Sequence, residues 1–220
     1  MADGANDEGV YPPLDVLKLV HRDVWVVDSG PIKVWGLKLP VRMTVLRLSG
    51  GDLWLHSPTR LTNELRIQLE AEGRIKHLVA PDIAHWSFLP EWQPTSPGAV
   101  VWATPGLLER KQVRTSGLRI DRVLPEVPPP EWAGELDQVT ILGIGFSEVD
   151  FFHRRTLIMT DLVQNLETSL LPAWQRVVAY LIGVAAPSGR APIYLRLLLA
   201  QRSVRRLGQL HKWFAGIQNG

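Results

Sequence analysis

Short runs of β-branched and apolar residues dominate the first half of the chain, and this pattern predicts strands. Two such runs are Asp23–Asp28 and Met43–Leu48. The turn sequence Ser49–Asp52 then leads directly into a third run, Leu53–His56, as in a β-hairpin. The first half of the chain is therefore expected to build part of a sheet.

A helix is predicted over residues 61–72, where the apolar period changes. Leu61, Leu65 and Leu69 recur every four residues and therefore share one helical face. Thr62 is a suitable N-cap residue, and Gly73 ends the pattern as a helix-terminating glycine does.

The rest of the chain continues with strands and then becomes helical. Further strands are predicted at Ile75–Val79, Val100–Ala103, Val139–Ile144 and Thr156–Thr160, with a short helix at Phe88–Trp92. The Pro-rich segment Val123–Trp132 is expected to be an irregular crossing between the two halves of the domain. Beyond Asp161, amphipathic helices are predicted over Trp174–Val184 and Pro192–Phe214. Strands that alternate with helices indicate a mixed α/β fold.

Composition narrows the class of protein. The chain has 24 Lys and Arg against 22 Asp and Glu, a net charge of +2, which gives no general electrostatic case for a nucleic-acid partner. It has no cysteine, so disulfides and thiolate metal sites are excluded and a cytoplasmic location is expected. No uncharged apolar run is long enough to predict a membrane span. The nine tryptophans are expected to contribute a large part of the core.

One domain is expected over residues 15–220, including a helical C-terminal segment at residues 170–216. Residues 1–14 are acidic and rich in glycine, and they are predicted to form a disordered tail. They lack the apolar segment of a signal peptide.

Several segments together resemble the metallo-β-lactamase superfamily, and the likeness covers nearly the whole chain. These segments are residues 41–48, 51–58, 78–92, 100–107 and 156–165. The resemblance implies a four-layer αββα sandwich, here with C-terminal helices, and a site at one edge between its two sheets. It also implies hydrolysis of an ester, amide, lactone or phosphoester with one or two Zn, Fe or Mn ions. In that family the ions are held by a His-x-His-x-Asp-His loop, a later His, an Asp at a strand end and a final His.

This resemblance leaves only part of the family's metal-binding signature in the chain. His85 keeps the family identity at the end of the loop, and Asp161 matches the strand-end Asp. The other loop ligands are replaced by Ala80, Asp82 and Ala84. No histidine lies within residues 142–147, and no final His-Gly segment follows His211. We therefore expect a degenerate site that holds at most one ion, and more readily none than the standard two-metal centre.

Four polar residues are expected to meet at the site edge: His56, Asp82, His85 and Asp161. His56 ends a predicted strand that points toward this edge. Two imidazoles and two carboxylates suit a single ion with open coordination positions, and His85, Asp161 and His56 would then serve catalysis. The same set is also consistent with a hydrogen-bonded network in which His85 pairs with Asp161 and no ion is bound.

Substrate contacts are expected from Trp86, Ser57, Ser147 and Glu148, which lie in or near the predicted site loops. A metal-free hydrolase with a serine nucleophile, Ser57 or Ser147, is a further alternative. However, Ser57 and His56 are adjacent on a strand and should point to opposite faces. The chain also has no Gly-x-Ser-x-Gly elbow.

Two histidines are expected outside the site. His77 opens a strand and is predicted to be exposed. His153 lies in residues 151–155, which are predicted to form a hairpin turn between the last two strands, while Ser147 and Glu148 are placed in a Gly-rich bend.

Three functions remain open at this point. The first is a hydrolase of a small ester, lactone or related substrate with an altered, at most mononuclear, metal site. The second is a non-catalytic member of the fold that binds a ligand or partner. The third is a structural or assembly role of the C-terminal helices, through which a homodimer could form.

Overall fold

The computed structural model describes residues 10–34, 37–193 and 195–196. Within these residues the chain forms two β-sheets. The first has seven strands in sequential order: β1 (Lys18–His21), β2 (Val24–Val34), β3 (Leu37–Arg47), β4 (Asp52–His56), β5 (Arg74–Ala80), β6 (Val100–Ala103) and β7 (Arg122–Val123). The second has three, with β9 in the centre: β8 (Asp137–Gly143), β9 (Phe146–His153) and β10 (Thr156–Ile158). The α-helices are α1 (Asn63–Glu72), α2 (Leu89–Thr95), α3 (Lys111–Thr115) and α4 (Ala173–Ile182).

The direction of the strands changes within the first sheet. Strands β1 to β4 are antiparallel neighbours, whereas β4 to β7 are parallel. Parallel neighbours place their carboxyl ends at one edge of the sheet, so the loops that follow β4, β5 and β6 meet there. This edge carries the candidate site.

The predicted helix and its caps are confirmed. The Thr62 side chain accepts a hydrogen bond from the backbone N–H of Leu65, and the N–H of Gly73 donates to the carbonyl of Leu69. A Cβ atom at Gly73 would lie 2.4 Å from the carbonyl oxygen of Gly51, so only glycine allows the chain to turn from α1 into β5 at this point.

Apolar side chains fill three successive interfaces, which gives the expected layers. Leu65 and Leu69 of α1 and Trp92 of α2 pack on the outer face of the first sheet. The inter-sheet core is aromatic, as the tryptophan count predicts. Trp54 and Phe151 meet edge to face with ring centroids 4.8 Å apart. On the far face of the second sheet, the cluster of buried residues is Val139, Ile141, Leu162 and Leu195.

Several local expectations are wrong. Residues 146–153 are not a bend and a turn but the central strand β9, and the turn is confined to residues 154–155. His153 is therefore buried in a strand, where its Nδ1 lies 2.9 Å from the carbonyl oxygen of Glu135. His77 is also buried rather than exposed, and the indole N–H of Trp102 donates to its Nδ1. Burial lowers the pKa of His77 to about 4, so this ring is neutral at physiological pH.

Both ends of the chain extend beyond the described residues. Residues 1–9 of the predicted tail lie outside them, whereas Val10 is buried and the hydroxyl of Tyr11 accepts a hydrogen bond from the N–H of Glu167. The helix predicted at residues 192–214 is described only at residues 192–193 and 195–196, and the homodimer expected through the C-terminal helices stays a prediction. Among the described helices, none is long and apolar enough to cross a membrane.

Candidate functional site

Three of the four predicted site residues meet where the two sheets adjoin. Asp82 and His85 lie in the loop after β5, and Asp161 lies in the segment after β10. An isolated bridge between Asp82 and Glu148, together with the hydrogen bond from the N–H of Val149 to the carbonyl of Pro81, joins this loop to β9. Both sheets therefore fix the site.

The spacing of the three side chains fits a shared cation. The Nε2 atom of His85 is 3.7 Å from Oδ2 of Asp82 and 3.6 Å from Oδ1 of Asp161, and one ligand atom from each residue lies within 4.8 Å of the others. Two ligands at about 2.0–2.2 Å from a tetrahedral ion lie roughly 3.3–3.6 Å apart. The observed separations are close to this value and are too long for direct hydrogen bonds.

Asp82 presents one oxygen to the cluster and keeps the other for the backbone. Its Oδ1 accepts hydrogen bonds from the N–H groups of Ala84 and His85, both at 2.7 Å. Its Oδ2 is buried and has no hydrogen-bond partner among the described residues. Burial raises the pKa of Asp82, and the charge of His85 opposes this shift. A buried carboxylate oxygen without a partner is costly, and a bound cation would satisfy it.

His85 is oriented by Ser57, whose Oγ lies 2.7 Å from its Nδ1. Burial lowers the pKa of His85, but the carboxylates of Asp82 and Asp161 outweigh burial and raise it to about 10. Without an ion the ring is therefore an imidazolium at neutral pH, and its Nδ1–H donates to Ser57. An ion on Nε2 would leave the same N–H and the same hydrogen bond. In both states Nδ1 carries a proton.

Asp161 is placed by the carboxyl group of Glu148, a residue that the sequence predicts to contact the substrate. Glu148 is fully buried, and its two oxygens accept the N–H groups of three consecutive residues, Thr160, Asp161 and Leu162, at 2.7–3.0 Å. Burial raises the pKa of Asp161, but its interaction with the charged His85 ring and the hydrogen bond from Gln164 prevail and lower it overall. Glu148 therefore shapes the loop that carries Asp161, and it lines neither cavity described below.

His56 lies near the site but outside the three-residue cluster. Its ring is buried 5.5 Å from the ring of Trp54 and 5.7 Å from that of Phe151, measured between centroids. Burial, together with the charge of His85, lowers the pKa of His56 to about 3, so the ring is neutral. The structure does not group His56 with the expected metal ligands.

Two of the predicted substrate contacts point elsewhere. Ser147 is buried, and its Oγ lies 2.7 Å from the hydroxyl of Thr104. Trp86 packs half-buried against the core on the outer face of the first sheet. Neither residue lines a described cavity, whereas Ser57 lines the larger one.

Two cavities open on the cluster, and His85 and Asp161 line both. The larger, about 810 Å³, lies between the β2–β3 hairpin and α4, and the smaller has about 470 Å³. The role of α4 as a cavity wall was not foreseen from the sequence. The apolar character of Val178, Ala179 and Ile182 is equally typical of ordinary core packing, so it gave no signal of a cavity.

The fold is that of solved metallo-β-lactamases. A metallo-β-lactamase from Pontibacter korlensis matches with a TM-score of 0.54 at 15% identity, over 78% of this chain and 86% of that one. FIM-1 from Pseudomonas aeruginosa, solved in a mono-zinc form, matches with a TM-score of 0.52 at 13% identity, over 91% and 98%. The metallo-β-lactamase of Hirschia baltica matches with a TM-score of 0.51 at 14% identity, over 87% and 95%. At these identities the likeness establishes the fold.

The chain thus has the metallo-β-lactamase fold that its sequence segments resemble. Within that class it belongs to the family described as a domain of unknown function, DUF4336, whose sequence profile matches residues 22–186. No curated protein matches the chain.

Proposed function

We propose that this protein is a hydrolase of a small ester, lactone or related substrate, with one metal ion held by Asp82, His85 and Asp161. The observation that carries the proposal is the buried Oδ2 of Asp82, which has no hydrogen-bond partner among the described residues and lies 3.7 Å from Nε2 of His85. One imidazole and two carboxylates are ligands that suit Zn, Fe or Mn. The mono-zinc form of FIM-1 supports a one-ion centre in this fold.

The three residues leave room for a substrate. The side chains of His85 and Asp161 are 27% and 35% exposed, and both face the cavities, so the cluster is open on one side. When bound, the ion would act as a Lewis acid that activates water and polarises the substrate carbonyl. Two other residues would position the ligands. Ser57 orients the His85 ring, and Glu148 orders the backbone around Asp161.

The second candidate is a non-catalytic protein that binds its ligand without a metal. One observation favours it: the imidazolium of His85 between two carboxylates is itself a charge-compensated arrangement. The metal-free serine hydrolase is less well supported. A ring with a pKa of about 10 cannot accept the proton of Ser57 at neutral pH.

Metal content separates these candidates. We expect protein purified without chelator to contain about one equivalent of Zn, Fe or Mn by elemental analysis. After metal removal, zinc at about 100 times its Kd should raise the Tm by about 5–10 °C. His85→Ala should lose both the metal and the shift, because it removes the only imidazole in the cluster.

The matched control is His21→Ala, since His21 forms a hydrogen bond with Thr156 away from the cluster. This variant should keep both the bound metal and the thermal shift. Substoichiometric metal in the unmodified protein, with no thermal shift from Zn, Fe or Mn, would overturn the metal centre and favour the non-catalytic candidate. Metal retained by His85→Ala would show that the ligands are assigned wrongly.

A further inference from the structure

The two cavities differ in chemistry, and they meet at the proposed reaction site. Both are lined by His85, Asp161 and Gln164, and the amide of Gln164 donates to Asp161 at 3.3 Å. Ser57, at 2.7 Å from the His85 ring, completes this polar junction. A molecule that occupied both cavities would have its middle at the cluster.

The larger cavity is mainly apolar, and outside that junction its polar lining residues are Lys33, Thr59, Ser87 and Gln175. Its walls come from the β2–β3 hairpin, from the loop between β5 and α2, from α4 and from the segments before and after α4. Apolar residues among them are Ile32, Leu39, Phe88, Leu171, Val178 and Ile182. A volume of about 810 Å³ is within the range of small-molecule sites, roughly 300–1,000 Å³. Mainly apolar walls favour an aliphatic group over a compact polar one, because burying polar groups without enough hydrogen-bond partners is costly.

The smaller cavity is richer in polar groups than the larger one, although Met159 and Val163 also line it. Its lining includes Tyr11, Asp28, Arg42, Thr44, Asn165 and Glu167. Within it, buried Asp28 is bridged by the Nζ of Lys18 at 2.8 Å and by Arg42 at 2.7 Å. Hydroxyl, amide and charged groups of this kind match a ligand with several hydrogen-bonding atoms.

We infer that the substrate is amphiphilic: an ester or lactone whose aliphatic acyl chain lies in the larger cavity and whose polar portion lies in the smaller one. This substrate class rests on the proposed hydrolase function. In the reaction, water adds to the ester carbonyl and the acyl C–O bond breaks. An open-chain ester then gives a fatty acid and an alcohol, whereas a lactone opens to a single hydroxy acid. The junction at His85 and Asp161 would hold that bond beside the metal ligands. The walls of the larger cavity would determine the preferred length of the acyl chain.

Binding of a non-hydrolysable probe tests the inference independently of catalysis. The probes are 1-O-dodecylglycerol and 1-O-butylglycerol, which are uncharged ethers, titrated by calorimetry below their micelle concentrations. We expect the dodecyl ether to bind at least about 100-fold more tightly than the butyl ether, since each buried methylene adds a factor of about 3–4.

Variants of α4 test whether the alkyl chain of the probe binds in the larger cavity. Val178→Trp fills part of the larger cavity and should lower the affinity for the dodecyl ether by about 10-fold or more, while the zinc affinity stays unchanged. Ile182→Trp, one helical turn further on the same wall, repeats the test should the first variant not fold. Val177→Trp is the matched control, because Val177 is exposed on the outer side of α4 and should bind as the parent does.

Equal affinity for the two ethers, or equal behaviour of Val178→Trp and Val177→Trp, would overturn the inference. Hydrolysis of 4-nitrophenyl acetate without any preference for longer acyl chains would overturn it too, and would leave the hydrolase function standing. Chain-dependent binding with no hydrolysis of 4-nitrophenyl dodecanoate by the zinc-loaded protein would overturn the hydrolase function and leave the ligand class standing.

Discussion

Ser57 combines a strained backbone with a site hydrogen bond. Its φ of +55° lies in the left-handed region, which costs of order 1–3 kcal/mol for a residue other than glycine. Such a conformation persists when surrounding contacts fix it, and two do so here. The N–H of Ser57 donates to the carbonyl of Val79, and its Oγ is held by His85. The end of β4 and the orientation of the His85 ring therefore depend on the same residue.

Ser57→Ala should therefore lower metal affinity by about 10–100-fold, the usual effect of removing the hydrogen bond that orients a histidine ligand. The measurement is a zinc titration against a competing chelator. Ser87→Ala is the control, because Ser87 lines the same cavity and has no hydrogen bond to His85. If Ser57→Ala bound zinc normally but lost all hydrolysis, Ser57 would be a nucleophile rather than a positioning residue.

The orientation of Ser57 could be predicted from the sequence only in part. Alternation along a strand correctly says that His56 and Ser57 face opposite ways, but it cannot say which of them reaches the cluster. The positive φ at Ser57 ends the strand geometry at that residue, and no residue type signals it in advance. His85 and Asp161 could be found, because the family resemblance fixes their positions. His56 is predicted because it ends a strand that points toward the same edge, but its ring lies against Trp54 and Phe151.

Strand β9 is the element on which the site depends most, and the sequence did not reveal it. Glu148 and Asp150 occur two residues apart and share one face of the strand, so their charge argues for an exposed bend. Both are fully buried instead. Glu148 satisfies three backbone N–H groups of the segment after β10, a contact that exists only once both segments are folded. The strands and helix with regular apolar periods were predictable for the opposite reason: local sequence alone specifies them.

Glu148→Gln should disturb the segment around Asp161, because an amide offers one acceptor oxygen and turns N–H groups toward backbone donors. We expect the unfolding free energy to fall by about 1–3 kcal/mol for the unsatisfied N–H groups, together with a loss of zinc affinity. Glu135→Gln is the matched control, since the carboxylate of Glu135 also accepts a backbone N–H, that of Ser49, but has no contact with residues 160–162. Equal zinc affinity in the two variants would exclude a positioning role for Glu148.

Across the whole molecule, buried ionisable groups give opposing dependences of stability on pH. His56 and His77 have lowered pKa values, about 3 and about 4, so their contribution to stability is present above pH 6.5 and is lost on acidification. Asp150 acts in the other direction. Burial raises its pKa to about 7, partly offset by its interaction with Glu148, so the folded protein keeps a proton that the unfolded chain has already released.

Asp150→Asn tests this carboxyl, because the contributions of both histidines are the same in parent and variant and cancel in the difference. The difference then reports Asp150 together with its effect on Glu148. Near pH 4 the native carboxyl is protonated and resembles an amide, so the two Tm values should nearly coincide. As pH rises from 4 to 7 the unfolded chain loses this proton first and the parent loses stability relative to the variant. At pH 8 the Tm of the variant should be several degrees higher than that of the parent, since 1 kcal/mol corresponds to about 2–4 °C for a chain of this length.

The control is Asp137→Asn, which replaces an exposed carboxyl group on β8 and should show no such trend. A Tm difference for Asp150→Asn that stays constant from pH 4 to pH 8 would contradict a buried, proton-retaining Asp150.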